Sequence, residues 1–282
     1  MTKIEIRCPT CGKKGQIDLS EDFIEKISRG IIAINLGEKQ ICPHSFVAYI
    51  DKNLHVRDYF VTDFQIELPE METEKLKERE VPDSDVVDVD LIKMDVTALS
   101  LTYILHCALI NKKMLLLIDE KFLHSHLMNL FNFIFKNSYE IDISIEESKK
   151  YGENKKLYKD SVVLSKNKII QDKTKVIKPK KIKIERVIVK NFLAESEAKL
   201  SLLFLRNEIR KTFKISEEII NLIKIYEEQE KLGKKKLMDI LMKKTNIKIT
   251  FDYLNFILDI IENHFNFDIS IISDYFFPDL GL

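Results

Sequence analysis

The chain has 282 residues, 45% hydrophobic and 32% charged, with forty-five Lys and Arg against forty-five Asp and Glu. That length is enough for two or three domains with cores of their own, and the balanced charge excludes a global field drawing the molecule to nucleic acid or to an anionic membrane. Four cysteines, three of them early in the chain, exclude a disulfide-dense secreted scaffold, and apolar runs far below the roughly 20 residues of a membrane span, with no apolar signal core at the start, predict a soluble, cytoplasmic protein.

Residues 1–70 read as a β-rich unit. Cys8-Pro9-Thr10-Cys11-Gly12 has the form of a metal knuckle: two thiolates three positions apart reach one ion, and the glycine lets backbone amides turn toward the sulfurs. Cys42-Pro43-His44 places a thiol and an imidazole at i and i+2, which point the same way on an extended strand. Cys8, Cys11, Cys42 and His44 together make a candidate three-Cys, one-His structural zinc site. Reduced, unliganded cysteines are the plainer alternative. A redox dithiol lacks the βαβ setting it would need. Four protein ligands leave no open position, so such a site serves folding rather than catalysis. Between the pairs, Ser20 reads as the cap of a short helix with Glu21 and Asp22 in its first turn. Strands are expected at 30–36, 40–50 and 54–68, with Asp51-Lys52-Asn53 as a hairpin turn and Phe46, Ala48 and Ile50 on one side. This meander suits a zinc ribbon, or the sheet of a profilin-like or longin-like fold.

Residues 67–95 hold eleven acidic and four basic side chains, and 71–95 read as an exposed acidic linker. The central α/β layer spans 96–172. Leu99, Tyr103, Leu105, Leu109 and Ile110 recur at helical spacing. Met114-Leu115-Leu116-Leu117-Ile118 is a short apolar run and reads as a buried strand. Phe122, Leu123, Leu127, Leu130, Phe131, Ile134 and Phe135 then share one broad helical face, and 139–145 alternates like a strand. Helix, strand, helix, strand predicts a mostly parallel sheet. A hairpin follows around Lys166-Asn167. Residues 151–190 carry thirteen basic and four acidic side chains, and 173–190 form a basic connector. Clustered Lys suits phosphate contacts, although aromatic interleaving is thin.

Residues 191–282 read as a helical module. One helix is expected over 192–213 with Leu200, Leu203, Phe204 and Ile209 buried. Ser216 is expected to cap the next, with Gly233 after its end. Thr250 or Asp252 starts another, burying Tyr253, Leu254, Ile257, Ile261 and Phe265; 269–277 closes the chain. A small helical bundle is preferred over a helix-turn-helix. The chain carries no Gly-rich phosphate loop, nucleophile elbow or His-Glu-x-x-His. His124 and His126 lie on different helix faces. His106 and Cys107 read as packed. Asp119, at the C-terminal end of the central strand, stands where α/β folds place function.

The segment YILHCALINKKMLLLIDEKFLHSHLMNLFNFIF resembles the central part of a DENN domain: an amphipathic helix ending in a basic turn, an apolar strand, then an acidic turn into a second helix. DENN proteins place a longin-like β module before this core and a helical module after it, the same order as here. The metal knuckle and the short length depart from that family. The resemblance implies binding of a small GTPase of the Ras or Rab kind, as by a nucleotide exchange factor; with the absent catalytic motifs and the charge-split linkers, it leads to the expectation of a non-enzymatic interaction protein, a GTPase regulator or adaptor. It assigns no site residue. The alternative expectation is a zinc-containing nucleic-acid-binding protein.

Overall fold

The computed structural model describes residues 2–19, 31–61, 66–70, 81–166, 168–226 and 232–273. Their fold is mixed α+β, with four sheets and eight α-helices among the described residues. The expected helix at Ser20 and the aromatic residues Tyr275, Phe276 and Phe277 lie outside them.

β1 (Thr2–Arg7) and β2 (Lys14–Leu19) form an antiparallel hairpin, and the first knuckle is its loop. β3 (Ile31–Leu36), β4 (Phe46–Asp51) and β5 (Val56–Phe60) form an antiparallel meander. Its Asp51 turn is as the sequence predicts. The Asp51 carboxylate accepts from the Asn53 and His55 amides at 2.9 and 3.0 Å. The meander strands are shorter than expected, however. Residues 38–43 are turn and bend and 44–45 are irregular, because Lys39 takes a left-handed φ of 72° and its amide bonds the Cys42 carbonyl at 2.8 Å. Cys42 and His44 therefore sit on a second knuckle, not on a strand.

All of β4 is buried, and it serves two cores. Phe46, Ala48 and Ile50 pack with Ile4, Ile6, Leu19 and Ile41. Val47 and Tyr49 face a larger cluster that runs on to Ile261. The acidic stretch is not exposed throughout: α1 (Val89–Asp95) is capped by the Asp88 side chain and buries Val89, Ile92 and Lys93.

α2 (Ala98–Leu109) leads into β6 (Met114–Leu117), all four residues of which are buried. α3 (Lys121–Phe135), β7 (Ile143–Glu146), α4 (Ser148–Asn154), β8 (Val162–Ser165) and β9 (Lys168–Gln171) complete the layer. Strand order is β7-β6-β8-β9, parallel except for β9. Met114, Leu116, Val162 and Leu164 join the large core beside α3. Leu115, Leu117 and Val163 face the other way, onto Tyr151 of α4. The two crossover helices thus lie on opposite faces of the sheet, as right-handed connections to either side of β6 require.

α5 (Lys183–Ala194) and α6 (Ala198–Tyr226) follow, separated by a three-residue break. The expected helix boundary at Ser216 does not exist. Ser216 is buried inside α6, and its hydroxyl donates to the Thr212 carbonyl at 2.8 Å, which satisfies it without ending the helix. Ile209 is buried as expected, but Leu200 is exposed and Leu203 and Phe204 are half-buried, and Leu202 and Leu205 complete the buried stripe with Ile209. β10 (Leu232–Gly233) pairs in parallel with β11 (Ile272–Ser273). Gly233 precedes α7 (Lys234–Thr245) as its N-cap. α8 (Phe251–Asn263) starts as expected, with the Thr250 hydroxyl accepting from the Tyr253 amide at 3.3 Å. No single helix among the described residues is long and apolar enough to cross a membrane.

Candidate metal centre

The first knuckle is built by backbone. The Gly12 amide donates to the Cys8 carbonyl at 2.9 Å, and the Cys8 amide to the Lys13 carbonyl at 2.8 Å. Gly12 holds φ 74°, which a side chain disfavours. The Thr10 amide points at Cys8 Sγ, 3.4 Å away. Gly15 lets the second knuckle close over β2, because a Cβ there would lie 2.9 Å from Ile41 Cγ1.

The two knuckles bring together the four residues the sequence nominates. One donor atom from each of Cys8, Cys11, Cys42 and His44 lies within 4.8 Å of all the others. His44 Nδ1 is 3.9 Å from Cys8 Sγ and 3.6 Å from Cys42 Sγ. A tetrahedral ion with metal–sulfur bonds of about 2.3 Å spaces its donors by about 3.8 Å. The set is consistent with a metal centre: three soft thiolates and one imidazole, on loops whose amides face the sulfurs. Burial pushes the Cys8 thiol up. The amides of Cys11 and Thr10, with the neighbouring Cys42 and Cys11 thiols, outweigh it and hold Cys8 at about 6. Burial and the adjacent Cys8 and Cys11 sulfurs push Cys42 up, against the His44 amide. Crowded sulfurs of unequal acidity are what a cation would neutralise together.

The other nominated residues have structural partners. Asp119 accepts from the Ser148 amide at 2.7 Å and from its hydroxyl at 3.0 Å, so it caps α4 from across the sheet end. His124 meets the Ile118 carbonyl at 2.7 Å, and His126 Nδ1 accepts from the Asp88 amide at 3.1 Å. Cys107 is wholly buried, and burial pushes its thiol up to about 12.

One feature escapes sequence reading. A cleft of about 2150 Å³ lies between the extended segment 66–70, α5, α6 and the 245–250 loop. Its walls carry Lys190, Lys214 and Lys248 as well as Glu67, Glu217 and Glu218. In one wall Lys211 Nζ bonds Glu208 and the Pro69 carbonyl, at 2.7 and 2.6 Å. The i, i+3 spacing of Glu208 and Lys211 was visible in sequence; their burial was not. No known protein family, curated protein or solved structure matches this chain.

Proposed function

We propose that the Cys8, Cys11, Cys42, His44 centre holds structural zinc, and that the chain is a non-enzymatic interaction protein of the cytoplasm, a regulator or adaptor of a small GTPase. Four protein donors leave zinc no open position, so the metal would brace the fold rather than activate water. The observation that carries the interaction reading is the cleft. Small-molecule sites span about 300–1,000 Å³, and this one exceeds them with walls of both charges. That suits a macromolecular surface. The order of β-rich, α/β and helical parts supports the DENN-like resemblance, and nucleotide exchange is the activity to test.

The test is a titration against Ras- and Rab-type GTPases, each loaded with GDP, loaded with a GTP analogue, or nucleotide-free. Binding should depend on the nucleotide, because the γ-phosphate orders the switch segments. An exchange factor favours the nucleotide-free form and speeds release. Lys214→Glu with Lys248→Glu should weaken the complex about tenfold. A panel without any nucleotide-dependent complex removes this reading.

The basic connector supports the second reading, a nucleic-acid binder, since Lys173, Lys175, Lys178, Lys180 and Lys181 are all exposed. Submicromolar binding of generic RNA or DNA at physiological salt, with a steep salt slope, and lost when Lys178, Lys180, Lys181 and Lys183 become Ala, would favour it.

A further inference from the structure

We propose that Cys11 is a site of reversible oxidation by hydroperoxides, and that Cys8 resolves it to a disulfide that opens the metal centre. The four donors of that centre are unequally covered. Cys8 and Cys42 are 1% and 4% exposed and belong to the smaller cluster around Phe46, and His44 is half-buried, whereas Cys11 is exposed. Burial keeps structural thiols inert, and a sulfur that binds a cation is deprotonated outright. Oxidation of cysteine follows thiolate character and access. As a zinc ligand Cys11 would have both, while its two fellow thiolates have only the first. A metal that needs Cys11 for its fourth bond therefore has one donor open to attack from solvent.

The backbone selects the resolving thiol. Pro9, Thr10 and Cys11 form one turn, closed by the Gly12 amide on the Cys8 carbonyl at 2.9 Å. The ends of a four-residue turn lie within about 7 Å, inside the reach of a disulfide. Cys42 stands on the other knuckle, so a bond from Cys11 to Cys8 needs no movement of one knuckle against the other. In the first step the Cys11 thiolate attacks a peroxide oxygen, the O–O bond breaks, and Cys11 sulfenic acid and hydroxide result. The Cys8 thiolate then attacks the sulfenic sulfur: the S–S bond forms, the S–O bond breaks, and a second hydroxide leaves. Two protons from solvent convert both hydroxides to water. The two sulfurs lose two electrons and the peroxide gains them. Cys42 and His44 alone then remain as donors, too few for a closed tetrahedral site. The inference rests on the zinc reading above and names what would regulate that same centre.

The experiment treats the full chain with hydrogen peroxide beside a chromogenic zinc chelator, and maps the thiols by mass spectrometry with dimedone as the trap for sulfenic acid. The dimedone adduct is expected first on Cys11, then a Cys8–Cys11 disulfide, with one zinc released per disulfide formed. Cys107, wholly buried, should stay reduced and serves as the internal control. Dithiothreitol with added zinc should restore the centre. Cys11→His keeps four donors but removes the accessible sulfur, and should slow release about tenfold or more. If that variant does not fold, the order of modification in the wild type decides. A Cys8 or Cys42 adduct ahead of Cys11, a disulfide through Cys42, Cys107 oxidised as fast as Cys11, or zinc loss from Cys11→His at the wild-type rate would each overturn the proposal. Elemental analysis before peroxide separates the two readings: a chain without zinc fails the zinc assignment, and the thiol map still tests the order of oxidation.

Discussion

His106 Nδ1 lies 2.7 Å from a Glu185 carboxylate oxygen, and both side chains are buried. Burial disfavours the imidazolium, but the hydrogen bond and charge of Glu185 outweigh it and raise the His106 pKa above its ordinary value; the Val176 backbone and Asp259 add to this. A raised histidine contributes stability that is full below the unfolded pKa of about 6.5 and is lost as pH rises through the folded one. The melting temperature of the wild type, measured against the double variant His106→Gln, Glu185→Gln, should therefore show its largest advantage in mild acid. An advantage that grows with pH would overturn the pairing. Cys11 gives the second residue-scale test. It is exposed, so it packs little, and its loss should act through the metal. Cys11→Ser should lower both zinc content and melting temperature, by elemental analysis and calorimetry. Protein purified without chelator yet lacking stoichiometric metal would remove the site.

β6 is short, but it is paired in parallel on both sides and buried on both faces. Leu116, 3% exposed, has nowhere to collapse. Leu116→Ala should cost about 2–5 kcal/mol in chemical denaturation, and a cost under about 1 kcal/mol would mean a looser layer. This layer was legible in sequence because its patterns are local: a period near 3.6 on α2 and α3, and an apolar run between charges at β6. The Cys-x-x-Cys half of the metal set was legible for the same reason. What sequence hid was long-range. Lys93 is buried because it donates to the Glu195 carbonyl at 2.6 Å and to the Ser201 hydroxyl at 2.7 Å, about a hundred residues away. The α6 boundary failed differently, since a serine before two glutamates looks like a cap, while tertiary contacts carry the helix through it. Glu217→Pro separates the two. After a true cap, proline at the first helical position is tolerated. Inside α6 it should cost about 3 kcal/mol or more.

At the scale of the molecule, two cores share one strand. Among the described residues the smaller has ten buried residues, two of them the candidate ligands Cys8 and Cys42. Small β units are usually held by a metal or disulfides, because their cores supply little burial. The larger core contains one face of β6, the helices other than α4 and the inner face of β4, and among the described residues it includes no candidate ligand. Direct polar ties between the β1–β2 hairpin and the meander include the Arg7 amide to the Tyr59 hydroxyl at 3.0 Å. Affinity for a metal at this candidate centre would be folding free energy, since its four donors are assembled only in the folded loops. Withdrawing the ion should then release one part of the molecule and not the other. Hydrogen exchange after chelation should show amides of β1 and β2 losing protection, β4 losing part of it, and β6 and β8 keeping theirs, in the manner of independent opening units. If β6 amides exchange as fast as those of β1, the two cores open together and the metal braces the whole chain.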